Sequence, residues 1–438
     1  MIEVNGKYTN AKIMIDQVDE NCMGQIIQMI SHEAFTNPVR IMPDTHSGTG
    51  SVIGFTMPVG NKLIPNVVGV DISCGMLTFN LGKIEVNHKE LDDKIRENIP
   101  FGINVRKTPI LNFTRDFKWD YADCKWSYDW FKELCKRVDV DQFYVQQSVA
   151  TLGGGNHFIE IGVSALTGDT WLTVHSGSRN LGKKICEYWQ KRAAIKKRLG
   201  FGEPREGVAS IKASSPKHEW DKKIKELYKK LNQIKPLPLD FLEGDDKNLY
   251  IEDMKFAQWY AKMNRMYMMT SIIELINNKK LTGRLLLSFG DGVIPWIESV
   301  HNYIDFKDNI IRKGAIRSYV GEKMIIPFNM RDGILICEGK SNPEWNYSAP
   351  HGAGRVYSRS KAKSELNLEK FEKDMSGIFS TSVCMGTIDE SPDAYKDSKI
   401  IEEAIEPTAK ILDRIIPVHN MKDVEGKSWK EKRKEKLS

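Results

Sequence analysis

The sequence predicts an α+β protein built on mixed β-sheets, and three observations carry that expectation. Residues 38–82 contain short apolar runs, SVIGFTMPVG and NVVGVDISCGMLTFNLG, punctuated by Gly and Pro too often for helices. Strand-like runs with glycine turns return at 284–360. Between them LYIEDMKFAQWYAKMNRMYMMTSIIELINN, residues 249–278, repeats apolar residues at three and four without proline, which is the period of one long core-facing helix with a packing methionine stripe.

The remaining elements follow in chain order. Residues 88–100 and 126–150 have helical spacing with charged faces, and TLGGGNHFIEIG is a glycine-rich turn entering a strand. TWLTVHSGSRNLG reads as a buried strand followed by a polar loop. From residue 183 the composition turns lysine-rich, with KKICEYWQKRAAIKKRLG and KHEWDKKIKELYKKLNQIK as amphipathic helices. We expect a single domain over 1–424 with an inserted helical lobe at 183–248, mixed helices at 365–416, and a basic, disordered tail at 425–438.

Composition narrows the class. With 438 residues, 41% hydrophobic and 28% charged, the chain has material for a large core, which excludes disordered and collagen-like readings. The formal charge is +6, and the last thirteen residues, GKSWKEKRKEKLS, contribute +4 of it, so the body is nearly neutral. Seven widely spaced Cys without a CxxC pair suggest a reduced, cytoplasmic protein, and no run approaches the ~18 apolar residues of a membrane span.

Five of the nine His sit among Gly, Asn, Ser or Asp in PDTHSGTG, GGGNHF, VHSGSRN, VHNY and APHGAGR. Singly, each is an ordinary turn histidine; the repetition points to one shared site, because backbone on such turns can approach a ligand closely. Asp71 and Cys74 lie three apart in VGVDISCGM. A thiolate, a carboxylate and several imidazoles suit Mn²⁺, Zn²⁺ or Fe²⁺ rather than Mg²⁺ or Ca²⁺. The glycines at 153–155 and 352–354 offer backbone N–H groups to phosphate oxygens. No Walker A, G-x-S-x-G, HExxH or Rossmann glycine motif is present.

Seven ordered segments are more specific. MPDTHSGTGSVIGFTM, IPNVVGVDISCGM, TLGGGNHFIEI, VHSGSRNLG, VHNY with RKGA, SAPHGAGRVYSRSKAK and DESPDAYKD resemble the motifs of the RtcB family of RNA-splicing ligases, over most of residues 40–400. The resemblance implies that family's fold, with mixed sheets around a central metal and nucleotide cleft. It implies a GTP- and Mn²⁺-dependent ligase of RNA splicing or repair, joining RNA 3′-phosphate or 2′,3′-cyclic phosphate ends to 5′-hydroxyl ends through a covalent histidine–GMP intermediate. The nucleophile would be His351. Two Mn²⁺ ions would be held by Asp71, Cys74, His157, His175 and His301, with Cys74 bridging. Asp71 and His157 would share one ion with it, and His175 and His301 the other.

Nucleotide contacts carried over by the resemblance are Asn156, His157, Phe158, Ile159, Glu160, His301, Asn302, His351, Gly352, Ala353, Gly354, Tyr395 and Lys422. His46 and Arg179 match the groups that meet RNA phosphate, and an archease-type activator is a further expectation. PFNMRDG at 327–333, Asn180 and Thr49 depart from the family pattern and mark a divergent branch. The same residues fit two alternatives: a metal-dependent cyclic phosphodiesterase that transfers no nucleotide, and a non-ligating RNA-end-binding repair factor.

Overall fold

Two sheets position everything else, and the computed structural model describes residues 1–113, 126–277 and 296–424. The first has six strands: β1 (Ile2–Asn5), β2 (Asn10–Ile13), β3 (Val39–His46), β4 (Ile53–Pro58), β9 (Asn302–Asp305) and β10 (Ile310–Lys313), ordered β1-β2-β3-β4-β10-β9. Its one parallel pair, β2 with β3, is joined through helix α1 (Glu20–Ile30). Asp19 caps α1 by accepting the Cys22 N–H, and the helix buries Cys22, Ile26, Met29 and Ile30 at helical spacing.

The second sheet has seven antiparallel strands, ordered β12-β13-β15-β6-β7-β5-β8. They are β5 (Gly75–Gly82), β6 (Phe158–Ser164), β7 (Thr170–Ser176), β8 (Trp296–Val300), β12 (Lys323–Pro327), β13 (Ile334–Gly339) and β15 (Ala409–Met421). Alternation sorts their side chains: Leu77, Ile159, Leu172 and Val174 pack on one face, and Met76, Phe158, Ile334 and Ile415 on the other. A two-stranded ribbon, β11 (Ala315–Arg317) with β14 (Ser348–Pro350), lies beside them.

The α+β class is as the sequence predicts. The long helix runs over Gly244–Asn277 and has no single apolar stripe, because it serves two cores in turn. Tyr250, Met254, Phe256 and Tyr260 pack with the first sheet's core, while Met266, Met268, Met269 and Ile272 cover the second sheet. Its Arg265 is fully buried and donates to the carbonyls of Ser73 and Ser176 and to Glu298, tying the helix to the loop before β5 and the end of β7.

Other elements differ from the sequence reading. The polar loop after β7 is only Gly177 and Ser178, because a helix of 21 residues begins at Arg179 and buries Leu181, Ile185, Trp189 and Ala193 in the main core. Beyond it, helices Pro204–Ser214 and Trp220–Gln233 gather around a small separate cluster of Ile195, Leu227 and Leu231. Residues 409–421, partly inside the stretch read as mixed helices, form β15; Lys410, Asp413, Arg414 and Pro417 mask its alternation. A four-residue helix, Pro65–Val68, interrupts the 38–82 strand region with proline in its first turn. The 425–438 tail and residues 284–295 of the second strand-like region lie outside the described residues. Among those described, no helix is long and apolar enough to cross a membrane.

Removing Arg265 strands Glu298 and two carbonyls, so Arg265→Met is expected to destabilise the protein by about 3 kcal/mol. A lower urea midpoint at unchanged slope checks this; an unmoved midpoint contradicts it.

Candidate active site

Strand register brings distant residues to one point. His175 on β7 pairs with Phe158 on one side and Met76 on the other, so His157 and Cys74 arrive beside it from β6 and β5. His301 is the single residue between β8 of the seven-stranded sheet and β9 of the six-stranded sheet, and its N–H donates to the Cys74 carbonyl at 2.9 Å. The site therefore sits where the two sheets meet, in a cavity of about 280 Å³.

Cys74 Sγ lies 3.4 Å from His157 Nε2 and 3.2 Å from His175 Nε2. His157 Nε2 is 2.9 Å from Asp71 Oδ2, and His175 Nε2 is 3.3 Å from His301 Nε2. These donors form two groups, Asp71–Cys74–His157 and Cys74–His175–His301, each with its atoms within 4.8 Å of one another. Cys74 belongs to both. His157 Nδ1 faces the Leu152 carbonyl at 2.8 Å and His175 Nδ1 the Asn156 carbonyl at 3.2 Å, which aims both Nε2 atoms inward, where an ion would take the place of the proton that His157 Nε2 shares with Asp71.

Electrostatics suits a cation there. Burial holds His175 and His301 well below the ordinary imidazole range, keeping them neutral ligands. Burial, with Asp71 nearby, pushes the Cys74 thiol well up, so a bound ion must displace its proton. Burial works to raise Asp71, yet its bond to His157 and the Arg179 guanidinium hold it below the usual carboxylate range. The residues present fit a soft-to-borderline divalent ion, and the cluster can hold one.

His351 approaches from β14. Its Nδ1 lies 2.6 Å from Oδ2 of Asp44, a fully buried carboxylate on β3 that also accepts the His351 backbone N–H at 3.1 Å. Asp44 thus accepts a hydrogen bond from Nδ1–H and leaves the lone pair on Nε2, the arrangement of a histidine nucleophile. The His351 ring is 4.7 Å from that of His301, centroid to centroid. Gly354, at φ +75°, lets the loop after His351 pass the Asp44 carbonyl, which a Cβ would meet at 2.3 Å. His46 lines the same cavity, its imidazole pushed down to about 4 by burial.

At the other end, Lys422 Nζ lies 2.9 Å from Glu390 Oε2 and donates to the Asn156 carbonyl at 3.3 Å. Arg355 and Arg359 reach the same carboxylate at 3.3 and 2.7 Å, and Tyr395 donates to it at 2.7 Å. Burial works to raise Glu390, but Lys422, Arg359 and Arg355 hold it at about 2. At Glu160 the Asn420 amide and the Lys422 charge oppose burial only weakly, and burial pushes it up to about 8.

With this geometry in hand, comparison decides the family. Residues 25–423 match the family model described as tRNA-splicing ligase RtcB. The chain belongs to the RtcB family. It is 28% identical over 401 residues to the RNA-splicing ligase RtcB of Escherichia coli K12, covering 87% of this chain and 88% of that one. The tRNA-splicing ligase RtcB of Aeropyrum pernix is 26% identical over 424 residues, with 82% of each chain covered. The RNA-splicing ligase RtcB2 of Escherichia coli ATCC 25922 is 24% identical, with 88% of each covered.

Of the residues the RtcB resemblance named, most line the cavity: His46, Asp71, Cys74, Asn156, Phe158, Glu160, His175, His301, Asn302, His351, Gly352, Ala353, Gly354, Tyr395 and Lys422. His157 sits against it through Cys74 and Asp71. Two are placed elsewhere. The Ile159 side chain is buried in the core beneath the long helix. Arg179 lies behind the triple-glycine turn, donating to Thr151 Oγ1 and the Gly102 carbonyl, each at 3.1 Å, and a Cβ on Gly153 would sit 1.8 Å from its Nη1. Sequence reasoning missed Asp44, Glu390, Arg355, Arg359 and Asn420. Asp44, Arg355, Arg359 and Glu390 all stand inside the quoted motifs; Asn420 has no signal.

Cys74 is the donor both groups share, so Cys74→Ala should weaken divalent-metal binding at both by roughly tenfold or more. Equilibrium dialysis with elemental analysis measures it, and wild-type occupancy in the variant would contradict the assignment.

Proposed function

We propose that this chain is a GTP- and Mn²⁺-dependent RNA ligase that joins a 3′-phosphate or 2′,3′-cyclic phosphate end to a 5′-hydroxyl end. The observation that carries the reading is the 2.6 Å bond from Asp44 to His351 Nδ1, beside a paired cluster of metal-type donors. Membership of a family whose relatives are named RNA-splicing ligases supports RNA as the substrate.

The steps are those the family resemblance implies, placed on these residues. His351 Nε2 attacks the α-phosphorus of GTP, forming a P–N bond as the bond to pyrophosphate breaks. Asp44 holds the Nδ1 proton and balances the positive charge that develops on the ring. An oxygen of the RNA 3′-phosphate then attacks the bound GMP phosphorus and His351 leaves. The 5′-hydroxyl of the second RNA end attacks the activated 3′-phosphate, forming the phosphodiester and releasing GMP. A cyclic end must first be opened by water. Divalent ions held by Asp71, Cys74, His157, His175 and His301 would neutralise phosphate charge and help align the in-line displacement. Arg355, Arg359 and Lys422 add cationic charge around Glu390 in the cleft wall.

Two outcomes check this reading. Incubation with α-labelled GTP and MnCl₂ should give a covalent label that survives alkali, is lost in acid, and is absent from His351→Ala. Asp44→Asn should slow labelling by ~10²-fold or more, since an amide no longer fixes the productive tautomer. Label on His351→Ala would contradict the assignment, and no label on metal-loaded wild type would favour the phosphodiesterase.

The base end supplies a pH dependence. Glu160, at about 8, is mostly protonated at pH 7, and accepting guanine N–H donors requires its ionised form. GTP binding therefore expels a proton, and affinity should rise with pH, by up to about tenfold per unit below 8, levelling above it. Glu160→Gln should flatten that rise; an unchanged slope in the variant would contradict the role.

A further inference from the structure

Asn420 on β15 stands directly opposite Glu160 on β6 in antiparallel register, and both side chains line the cleft. Asn420 Nδ2 donates to Glu160 Oε2 at 2.8 Å. That bond uses one carboxylate oxygen and the donor half of the amide. It leaves Glu160 Oε1 and Asn420 Oδ1, both buried, without a hydrogen-bond partner among the described residues. The two residues are 3% and 1% exposed, so solvent does not satisfy these oxygens. In the ionised form of Glu160, the form that binds the base, these are buried acceptors left open side by side at a cavity wall, and they call for a ligand that presents two adjacent donors.

The amide is fixed in this sense. Turning it over would set Oδ1 against Glu160 Oε2, acceptor against acceptor. The strand beneath it is pinned as well, because the Asn420 N–H donates to the Phe379 carbonyl at 3.0 Å and Ser380 Oγ donates to the Asn420 carbonyl at 2.7 Å. The two open oxygens are therefore presented by a rigid frame.

We propose that Asn420 is a specificity-determining residue for the nucleotide base, its Oδ1 accepting from the exocyclic 2-amino group of guanine while Glu160 Oε1 accepts from the ring N1–H. The assignment rests on the reading of this cleft as a GTP site. Adenine presents an unprotonated ring nitrogen to the same oxygens and carries no 2-amino group, so it is rejected. Hypoxanthine keeps the N1–H and lacks only the 2-amino group, which isolates the Asn420 contact from the Glu160 contact.

The experiment compares covalent labelling from α-labelled GTP and α-labelled ITP, as the ratio of labelling efficiencies on one preparation, so that partial misfolding cancels. Wild type should prefer GTP by about tenfold, the size of one well-made hydrogen bond to a buried acceptor. In Asn420→Leu the ratio should fall to about one, and Asn420→Ala gives the same test if the leucine variant does not fold. Glu160→Gln should disturb labelling from both nucleotides alike. A wild type that uses GTP and ITP equally, or a variant that keeps the wild-type ratio, overturns the proposal alone. Absence of label from either nucleotide in wild type takes down the ligase reading and this inference with it.

Discussion

The site depends on a crowd of lone pairs. Cys74 sulfur, three imidazole nitrogens and the Asp71 carboxylate face one another across 2.9 to 3.4 Å at the seam of two sheets, with little water to separate them. Such a cluster is costly unless protons or a cation are shared among its members. The protein holds it by spending backbone on it. Carbonyls of Leu152 and Asn156 fix two imidazoles, the Cys74 carbonyl accepts from His301, and Arg265 grips the loop on one side and the end of β7 on the other. The long helix buries residues on several faces because it braces both sheets against this seam.

From that seam the cleft divides into two electrostatic ends. Toward β3 and β14, one buried carboxylate, Asp44, orients His351 and leaves its Nε2 free. Toward β15, Glu390 is surrounded by Lys422, Arg355 and Arg359, while Glu160 on the neighbouring strand has the Asn420 amide as its hydrogen-bond partner and is pushed in the opposite direction by burial. Two buried glutamates on opposite sides of the usual carboxylate range mark a polar gradient along the cavity wall.

Much of this was legible in the sequence where turn chemistry exposes it. Histidines flanked by Gly, Asn and Ser stand out because few core positions tolerate such neighbours, and the metal donors were named on that signal together with the family motifs. Asp44 was not legible, because it lies in a strand whose residues 41–45 are all buried, so nothing in the pattern separates it from packing. β15 was hidden by exposed charges and a proline on a strand whose partners lie far away in sequence. Asn420 carries its role only through its cross-strand neighbour Glu160, and Glu390, at the end of a 3-10 turn, through Lys422, Arg355 and Arg359, partners that a linear pattern does not reveal. Arg179 shows the converse: a motif arginine among phosphate-type turns is turned to the back of His157, where it holds the triple-glycine turn.

The most direct test is to ligate two RNA oligonucleotides with purified protein, one ending in a 2′,3′-cyclic phosphate carrying a labelled phosphorus and the other beginning with a 5′-hydroxyl. A joined product whose junction contains the labelled phosphorus, formed only with both GTP and Mn²⁺, is the result this account predicts. Opening of the cyclic end without GTP and with no joined product would contradict it, leaving a phosphodiesterase built on the same cluster.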